Sequence, residues 1–454
     1  MAMDLAKDNT RKLYHHFLLN AFGSALVASV FGLVDMAMMG NYQGASGPAA
    51  LAVVSPVWNV VYSLGLLTGI GSSVIYASKK GDEEETVDPN SYFTLGLVLT
   101  LILCVLETVI FSVWLEPILI FFGATDETLP LCVSYLSVAK YLFPLFTMSN
   151  FLAAFLRNDK APGLATIAVI SGGVFNIVFD YVFIFVLDMG MGGAGLATSL
   201  GMALNCLIQS SHFLSKKNAL RLAPISCFFS RSGAILTNGF SSFFVDVAMG
   251  IVSVAFNNQI KSLYGLDSTT YLAVYGVAVN LYVFAQCSAY GIGQASQPII
   301  SFNYGAKLNK RVLNILKYAL VTSAIVSVVA LAITESIPSL ITEAFMGNDQ
   351  TVISIAPSLL RPYCSCFIFL PFNVVITYFY QGILRGKTAF IVSLARGAIL
   401  PVSLIFLLPM IDSSLLWWAL PIGEAVTTIA ILPVLIKNVK ELKKVPSSEG
   451  TLVA

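Results

Sequence analysis

The chain has 454 residues, of which 57% are hydrophobic and 11% charged, with a formal net charge of +1. Soluble domains carry roughly 25% charged residues, so this composition excludes an ordinary water-soluble globule, and near-neutrality excludes both a nucleic-acid footprint and an acidic solvating tail. The cysteines number seven, an odd set lying mostly in apolar runs, and no disulfide framework is expected.

The opening MAMDLAKDNTRK is polar and no cleavable leader pattern follows it, so the first apolar run is expected to stay attached. A helix needs about 20 apolar residues to cross roughly 30 Å of hydrocarbon. Runs of that size occur near 16–38, 50–77, 93–115, 131–156, 162–187 and 193–214, and again near 233–259, 271–301, 312–334, 354–382, 389–410 and 413–436. The spacing predicts an all-α integral membrane protein of twelve transmembrane helices. They divide into a cytoplasmic tail 1–12, a first lobe 13–214, a cytoplasmic linker 215–231, a second lobe 232–436 and a cytoplasmic tail 437–454.

Cytoplasmic loops hold an excess of Lys and Arg. With the N-terminus inside, twenty of the 25 basic residues fall in cytoplasmic segments, among them Lys79, Lys80, Arg157, Lys307, Arg311 and Arg385. Lys261 alone lies outside, and Lys140, Lys317, Arg361 and Arg396 fall within spans. Both termini are expected in the cytoplasm, in a cell or inner membrane.

The halves repeat. TGIG at 68–71 answers to YGIG at 290–293, an offset of 222, and LRNDKA at 156–161 to LRGKTA at 384–389, an offset of 228. Six spans per unit is an even number, so the two lobes should be related by a pseudo-two-fold axis along the membrane normal.

An ionisable side chain in the bilayer interior is expensive and marks a functional candidate. Asp35 and Asp180 fall in the outer halves of first-lobe spans. Asn176 precedes Asp180 by one helical turn, on the same face, and Thr198 in GGAGLAT adds a hydroxyl at similar depth. Two carboxylates, an amide oxygen and a hydroxyl are hard ligands suited to Na⁺, and crowded carboxylates also favour a proton-loaded state. Glu107 and Lys140, at matching depths on consecutive antiparallel helices, are expected to form a structural ion pair. Asp246 and Glu424 are candidates for contacts with substrate in a cavity, Glu424 with Arg361 or Arg396 as alternative partners; Gln294 in the YGIGQAS stretch joins them. The TGIG and YGIG glycines have neither a preceding strand nor a Walker lysine, so no nucleotide site is read there and transport would draw on an ion gradient.

Together these stretches are similar to the multidrug and toxic compound extrusion (MATE) family, nearest its DinF-like prokaryotic branch. The resemblance rests on VDMAMMG around Asp35, GIGSSVIYASKKGD at 69–82, the segment 155–185 ending NIVFDYVFIF, MGGAGLATSLG, YGIGQASQPIISFNYGAK at 290–307 and LRGKTA. It implies two six-helix lobes in a V around a central cleft and export of organic compounds against inward H⁺ or Na⁺. Its coupling positions match Asp35, Asn176, Asp180 and Thr198, while of the second-lobe carboxylates used in another branch only Asp246 has a counterpart here. Many relatives carry a proline in the first helix; here that span has Asn20 and no proline, which puts a proline-assisted bend in doubt. The expected partners are small organic substrates and membrane lipids, without nucleic acid, nucleotide or cofactor beyond the ion, and the protein is expected to act as a monomer and not as an enzyme. The rivals are a lipid-linked oligosaccharide flippase of the same architecture, which would want a basic cavity, and a membrane-embedded enzyme or receptor.

Overall fold

Long apolar runs must satisfy their backbone groups internally in lipid, which leaves helices as the way across for a chain without barrel-like alternation. The computed structural model describes residues 5–44, 46–84, 86–346 and 350–444, and every regular element among them is helical. Parts of both expected tails, residues 1–4 and 445–454, lie outside the described residues.

The first lobe comprises α1 (Thr10–Gln43), α2 (Ser46–Gly81), α3 (Asn90–Val113), α4 (Leu129–Asn158), α5 (Pro162–Val186) and α6 (Gly190–Leu214). The second comprises α7 (Phe228–Tyr264), α8 (Ser268–Gly305), α9 (Asn309–Ser336), α10 (Gln350–Gly382), α11 (Gly386–Met410) and α12 (Ser413–Lys444). Ten stretches meet the length and apolarity of a membrane span; one of them, the 78 residues Phe228–Gly305, folds as α7 and α8 around the turn Gly265–Asp267, and α1 completes the twelve. At 34 residues, α1 is about 51 Å long and overreaches the hydrocarbon. It begins earlier than its apolar run because Asn9 caps it, the side chain accepting from the backbone N–H groups of Arg11 and Lys12. α1 is a single helix without proline; at Asn20 the carbonyl is shared by the hydroxyls of Ser24 and Thr166. Two short helices that the apolar runs left as loops, Leu115–Phe121 and Pro338–Met346, follow α3 and α9 at equivalent places in the two lobes.

The linker is shorter than 215–231, since α7 starts at Phe228. It is strapped to the first lobe: Ala219 N donates to Asp159 (2.8 Å), Arg221 N to Asn90 (3.1 Å) and Ala223 N to Thr94 (2.9 Å). Asp159, between α4 and α5, also receives Lys80 at 3.0 Å and His212 at 2.9 Å. Burial pushes its carboxyl up, but the His212 bond and the Lys80 charge outweigh it and hold the group below the usual carboxylate range. The clasp therefore contributes above the ordinary carboxylate pKa and is lost only as pH falls through the lowered one.

The lobes meet at the end that carries the basic loops. A Cβ on Gly81 of α2 would stand 2.2 Å from the carbonyl oxygen of Phe302 on α8, and one on Gly305 would stand 1.8 Å from that of Ser78 on α2. The two contacts exchange under the internal pseudo-symmetry, because Ser78 and Phe302, like Gly81 and Gly305, are 224 residues apart. The same offset relates Gly69 on Ala154 to Gly293 on Tyr378, and the left-handed cap Lys160 to Leu384. The repeat is real but its landmarks were two and four residues out of register: Gly69 corresponds to Gly293 and not to Gly291. Short identical strings align on letters, whereas the duplicated fold is aligned by where backbones touch.

Polar contacts reinforce this closure. Arg311 donates to the carbonyls of Leu5 (3.0 Å) and Asp8 (2.7 Å), and Lys307 meets Glu84 at 2.5 Å. Lys307 and Glu84 are exposed, and such pairs contribute little. The glycine contacts decide the closure, since a methyl group there has nowhere to go. Gly305→Ala should therefore shift the population toward separated basic ends: spin labels on Glu83 and Lys310 should show a longer-distance fraction than the parent, and an unchanged distance distribution would contradict this.

Candidate functional site

α5 starts at Pro162 and presents Asn176 and Asp180 one turn apart on its buried face; Asp180 is fully buried. Where Gly173 lacks a side chain the ring of Phe31 fills the space, 1.6 Å from where a Cβ would be. α1 thereby approaches α5 closely enough for Asp35, one turn beyond Phe31, to reach Asp180. The two carboxyl groups lie within hydrogen-bonding reach of each other. Immediately after Asp180 the helix widens into a π turn, Tyr181–Val186, an irregularity that recurs at functional positions because it re-aims one side chain.

Asn176 Nδ2 donates to Asp180 Oδ2 at 2.8 Å and to Thr198 Oγ1 of α6 at 3.3 Å. Thr198 in turn meets the hydroxyl of Tyr135 from α4 at 3.2 Å. The four residues read from the sequence are thus brought together, and Tyr135 completes the ring. Nothing in the sequence singled it out among the 18 tyrosines. Asp35 Oδ1 and Asp180 Oδ1 are buried without a donor, and among the described residues neither acid forms an ion pair. Two carboxylates at this separation in a dry site repel unless a proton or a cation lies between them, so the oxygen set fits H⁺ or Na⁺. Presenting an oxygen of Asn176 to Na⁺ requires the amide to turn.

The other acids divide. The Glu107–Lys140 pair is not formed. Glu107 shares the inward stripe of α3 with Cys104 and Phe111, and its Oε2 accepts from Thr147 at 2.9 Å. Lys140 projects from another face of α4, its ammonium 5.1 Å from the centre of the Tyr141 ring. Equal depth on neighbouring helices does not ensure that two side chains face each other. Glu424 is locked: Arg396 grips it with Nε and Nη2 (2.8 Å for the shortest contact), and Asn373 adds a bond of 2.7 Å. It is a salt-bridged wall of a small second-lobe crevice, not a free acid. Arg361 pairs instead with Glu335, Nε to Oε2 at 3.5 Å.

Asp246 accepts from the Tyr290 hydroxyl (3.0 Å), which Gln286 also approaches (2.7 Å), and its Oδ2 is buried without a donor. Gln294 contacts Tyr378. Tyr290 and Tyr378 line a small cavity together with Leu66 of the first lobe. Arg157, read from the sequence as a loop cation, is instead within the last turn of α4 and half-buried.

Two duplicated six-helix lobes that meet at one end and enclose acids, Asp35, Asp180 and Asp246, without ion-pair partners among the described residues define a membrane transporter. The MatE family model matches residues 21–182 and 247–407, once in each half, and the chain belongs to that family. It is 23% identical over 432 residues to the multidrug export protein MepA of Staphylococcus saprophyticus, covering 94% of this chain and 93% of the relative. It is also 23% identical over 427 residues to MepA of Staphylococcus aureus, covering 93% and 92%. Among solved structures, a MOP superfamily transporter from Pyrococcus furiosus superposes with a TM-score of 0.87 at 21% identity, over 97% of this chain and 98% of that one. An outward-facing multidrug resistance MATE transporter gives 0.87 at 21%, over 98% and 99%. These structural likenesses show the fold.

The Arg396–Glu424 pair yields a stability test. Removing one partner of a buried pair leaves an uncompensated charge and costs roughly 3–5 kcal/mol, whereas replacing both by apolar groups is often near neutral. Glu424→Met should lower the melting temperature in detergent strongly, and adding Arg396→Met should recover most of the loss; equal destabilisation by the single and the double variant would contradict the reading.

Proposed function

We propose that the chain is a secondary active antiporter that exports organic, mostly cationic or amphipathic compounds in exchange for H⁺ or Na⁺. The carrying observation is the carboxyl contact between Asp35 and Asp180, whose second oxygens have no other donor. With the ion bound, α1 and α5 pack around two carboxyl groups that share one positive charge; with it gone, two adjacent negative charges drive α1 to repack. Substrate that binds the ion-free arrangement more tightly then exchanges for the ion, a coupling that needs only a few kcal/mol between states. Alternation of access follows if the glycine-lined closure at the basic end opens when the outer end closes. The positive-inside bias supports a cytoplasmic basic end, with both termini inside and the cleft here facing outward. The names of the MepA relatives, multidrug export proteins, support the substrate class. The protein works as a monomer with no cofactor other than the ion, in a cell membrane, and without catalysis.

A lipid-linked oligosaccharide flippase is disfavoured, because Arg361 and Arg396 are neutralised by Glu335 and Glu424, which leaves the cavity without the basic pair a diphosphate would require. The test is flux in proteoliposomes. With a pH or Na⁺ gradient imposed separately, one of the two should drive efflux of a fluorescent cation, and Asp180→Asn should abolish it while the variant still elutes as folded protein. Full efflux by Asp180→Asn would remove the acid pair from the mechanism.

A further inference from the structure

Glu107 is the first-lobe acid that exchange at Asp35 and Asp180 leaves unused. It lies on the inner stripe of α3, whose outer faces are apolar and exposed at Leu106 and Ile110, and it is itself 2% exposed. Its Oε2 is 2.9 Å from Thr147 Oγ1 of α4, its Oε1 is buried without a donor, and among the described residues it makes no ion pair. The titratable groups around it are engaged elsewhere. Cys104, one turn earlier on α3, donates to the Pro144 carbonyl at 3.6 Å. Tyr62, next in the chain to Val61 of α2, packs on Phe146 of α4, and Lys140 of α4 lies over Tyr141. Arg231 of α7 lies over Tyr92, at the basic end of α3.

A count of hydrogens bears on the state of this acid. Thr147 Oγ1 is also 3.2 Å from the Val61 carbonyl of α2. Carbonyls and ionised carboxylates only accept, and a hydroxyl has one proton, so an ionised Glu107 would compete with Val61 for it. A protonated Glu107 serves all three groups: it donates to Thr147, and Thr147 donates to Val61. An apolar site keeps a carboxylic acid neutral for such a donation. Backbone contact leaves little room for water here, since a Cβ on Gly65 of α2 would stand 2.6 Å from the Thr147 carbonyl oxygen.

The fold does not itself demand an acid at this place. At the offset of 224, Pro144 corresponds to Ile368, Thr147 to Pro371 and Glu107 to Leu331. The second lobe keeps a neutral contact, Ser327 donating to the Ile368 carbonyl at 3.4 Å as Cys104 does to Pro144, and has leucine where the first lobe has Glu107. In α4 the proline also breaks the hydrogen-bond ladder, having no N–H for the Lys140 carbonyl. Thr147 lies on one side of that break and Tyr135, which completes the ring at the acid pair, on the other.

We propose that Glu107 is a second proton-binding site of the first lobe, apart from the Asp35–Asp180 pair: a neutral carboxylic acid whose hydrogen bond pins α3 to α4 and whose ionisation loosens α4 at its proline. Through it pH acts on the helix that carries Tyr135, even where the acid pair takes Na⁺. The site exists whether or not the protein exports organic compounds.

Infrared difference spectra of the purified full-length protein in nanodiscs, recorded on stepping from neutral to alkaline pH, test this. A carboxylic acid carbonyl band should disappear with rising pH in the parent and in the Asp35→Asn/Asp180→Asn double variant, and should be missing from Glu107→Gln. Thr147→Val, which removes the acceptor, should move the band to higher frequency. Thermal unfolding gives a second readout. The folded state alone holds this proton at neutral pH, so the stability of the parent falls as pH rises. Glu107→Gln keeps a donor for Thr147; it should melt near the parent at neutral pH and lose less at alkaline pH. An unchanged band in Glu107→Gln, no such band in the double variant, a band unmoved by Thr147→Val, or equal alkaline losses in the parent and Glu107→Gln would each overturn the proposal.

Discussion

A carboxyl group inside a bilayer must have a proton, a cation or a fixed positive partner, and the first lobe supplies the Asp35–Asp180 pair with none of the third. The rest of the site follows from that constraint. Asn176 donates to one oxygen of Asp180 and to the Thr198 hydroxyl, Tyr135 closes the ring from α4, and one oxygen of each acid is left without a donor. The second lobe handles the same problem in the opposite way. There Glu424 has a permanent arginine and an asparagine, so its charge is fixed and it ties together α11 and α12, the counterparts of α5 and α6. The duplication has thus produced one lobe with an acid pair that has no basic partner among the described residues and one with a locked ion pair.

Fixed and movable parts are also separated along the membrane normal. At the basic end, α2 and α8 cross with backbone in contact at Gly81 and Gly305, and α1 begins against α9 through Tyr14 and Thr322 at 3.0 Å. The acid pair lies toward the opposite end, on α1 and α5. α1 belongs to both regions, packing on the second lobe at its start and carrying Asp35 further along. A change in the charge of the acid pair therefore acts on a helix that also touches the closure between lobes, which is the mechanical link that exchange of ion for substrate requires.

Much of this was legible in the sequence for a physical reason. Span number follows from apolar run length, and the grouping of Asp35, Asn176, Asp180 and Thr198 from the rarity of acids in such runs together with the one-turn spacing of Asn176 and Asp180. What escaped had no comparable signal. Tyr135 is one aromatic among many, and only its partner Thr198 gives it meaning. The Glu107–Lys140 pairing failed because depth is readable from span ends but helix rotation is not; Ala139, Phe143 and Thr147 form the inner stripe of α4, and Lys140 lies off it. Arg157 reads as a loop residue because it closes an apolar run, whereas α4 continues through Asn158 and holds it in its last turn. The repeat was visible while its register was not, since close approach of backbones leaves glycines but does not say which glycine is which.

The central claim is that the acid pair releases an ion when substrate binds. Its most direct measurement is ion release from purified protein in weakly buffered solution on addition of a rhodamine methyl ester, followed with a pH indicator and, separately, a Na⁺-sensitive dye. The account predicts that one of the two signals appears with the parent protein and disappears in both Asp35→Asn and Asp180→Asn, while dye binding by the variants remains measurable. Undiminished release from either variant, or substrate binding by the parent with no release of H⁺ or Na⁺ at any pH, would contradict it.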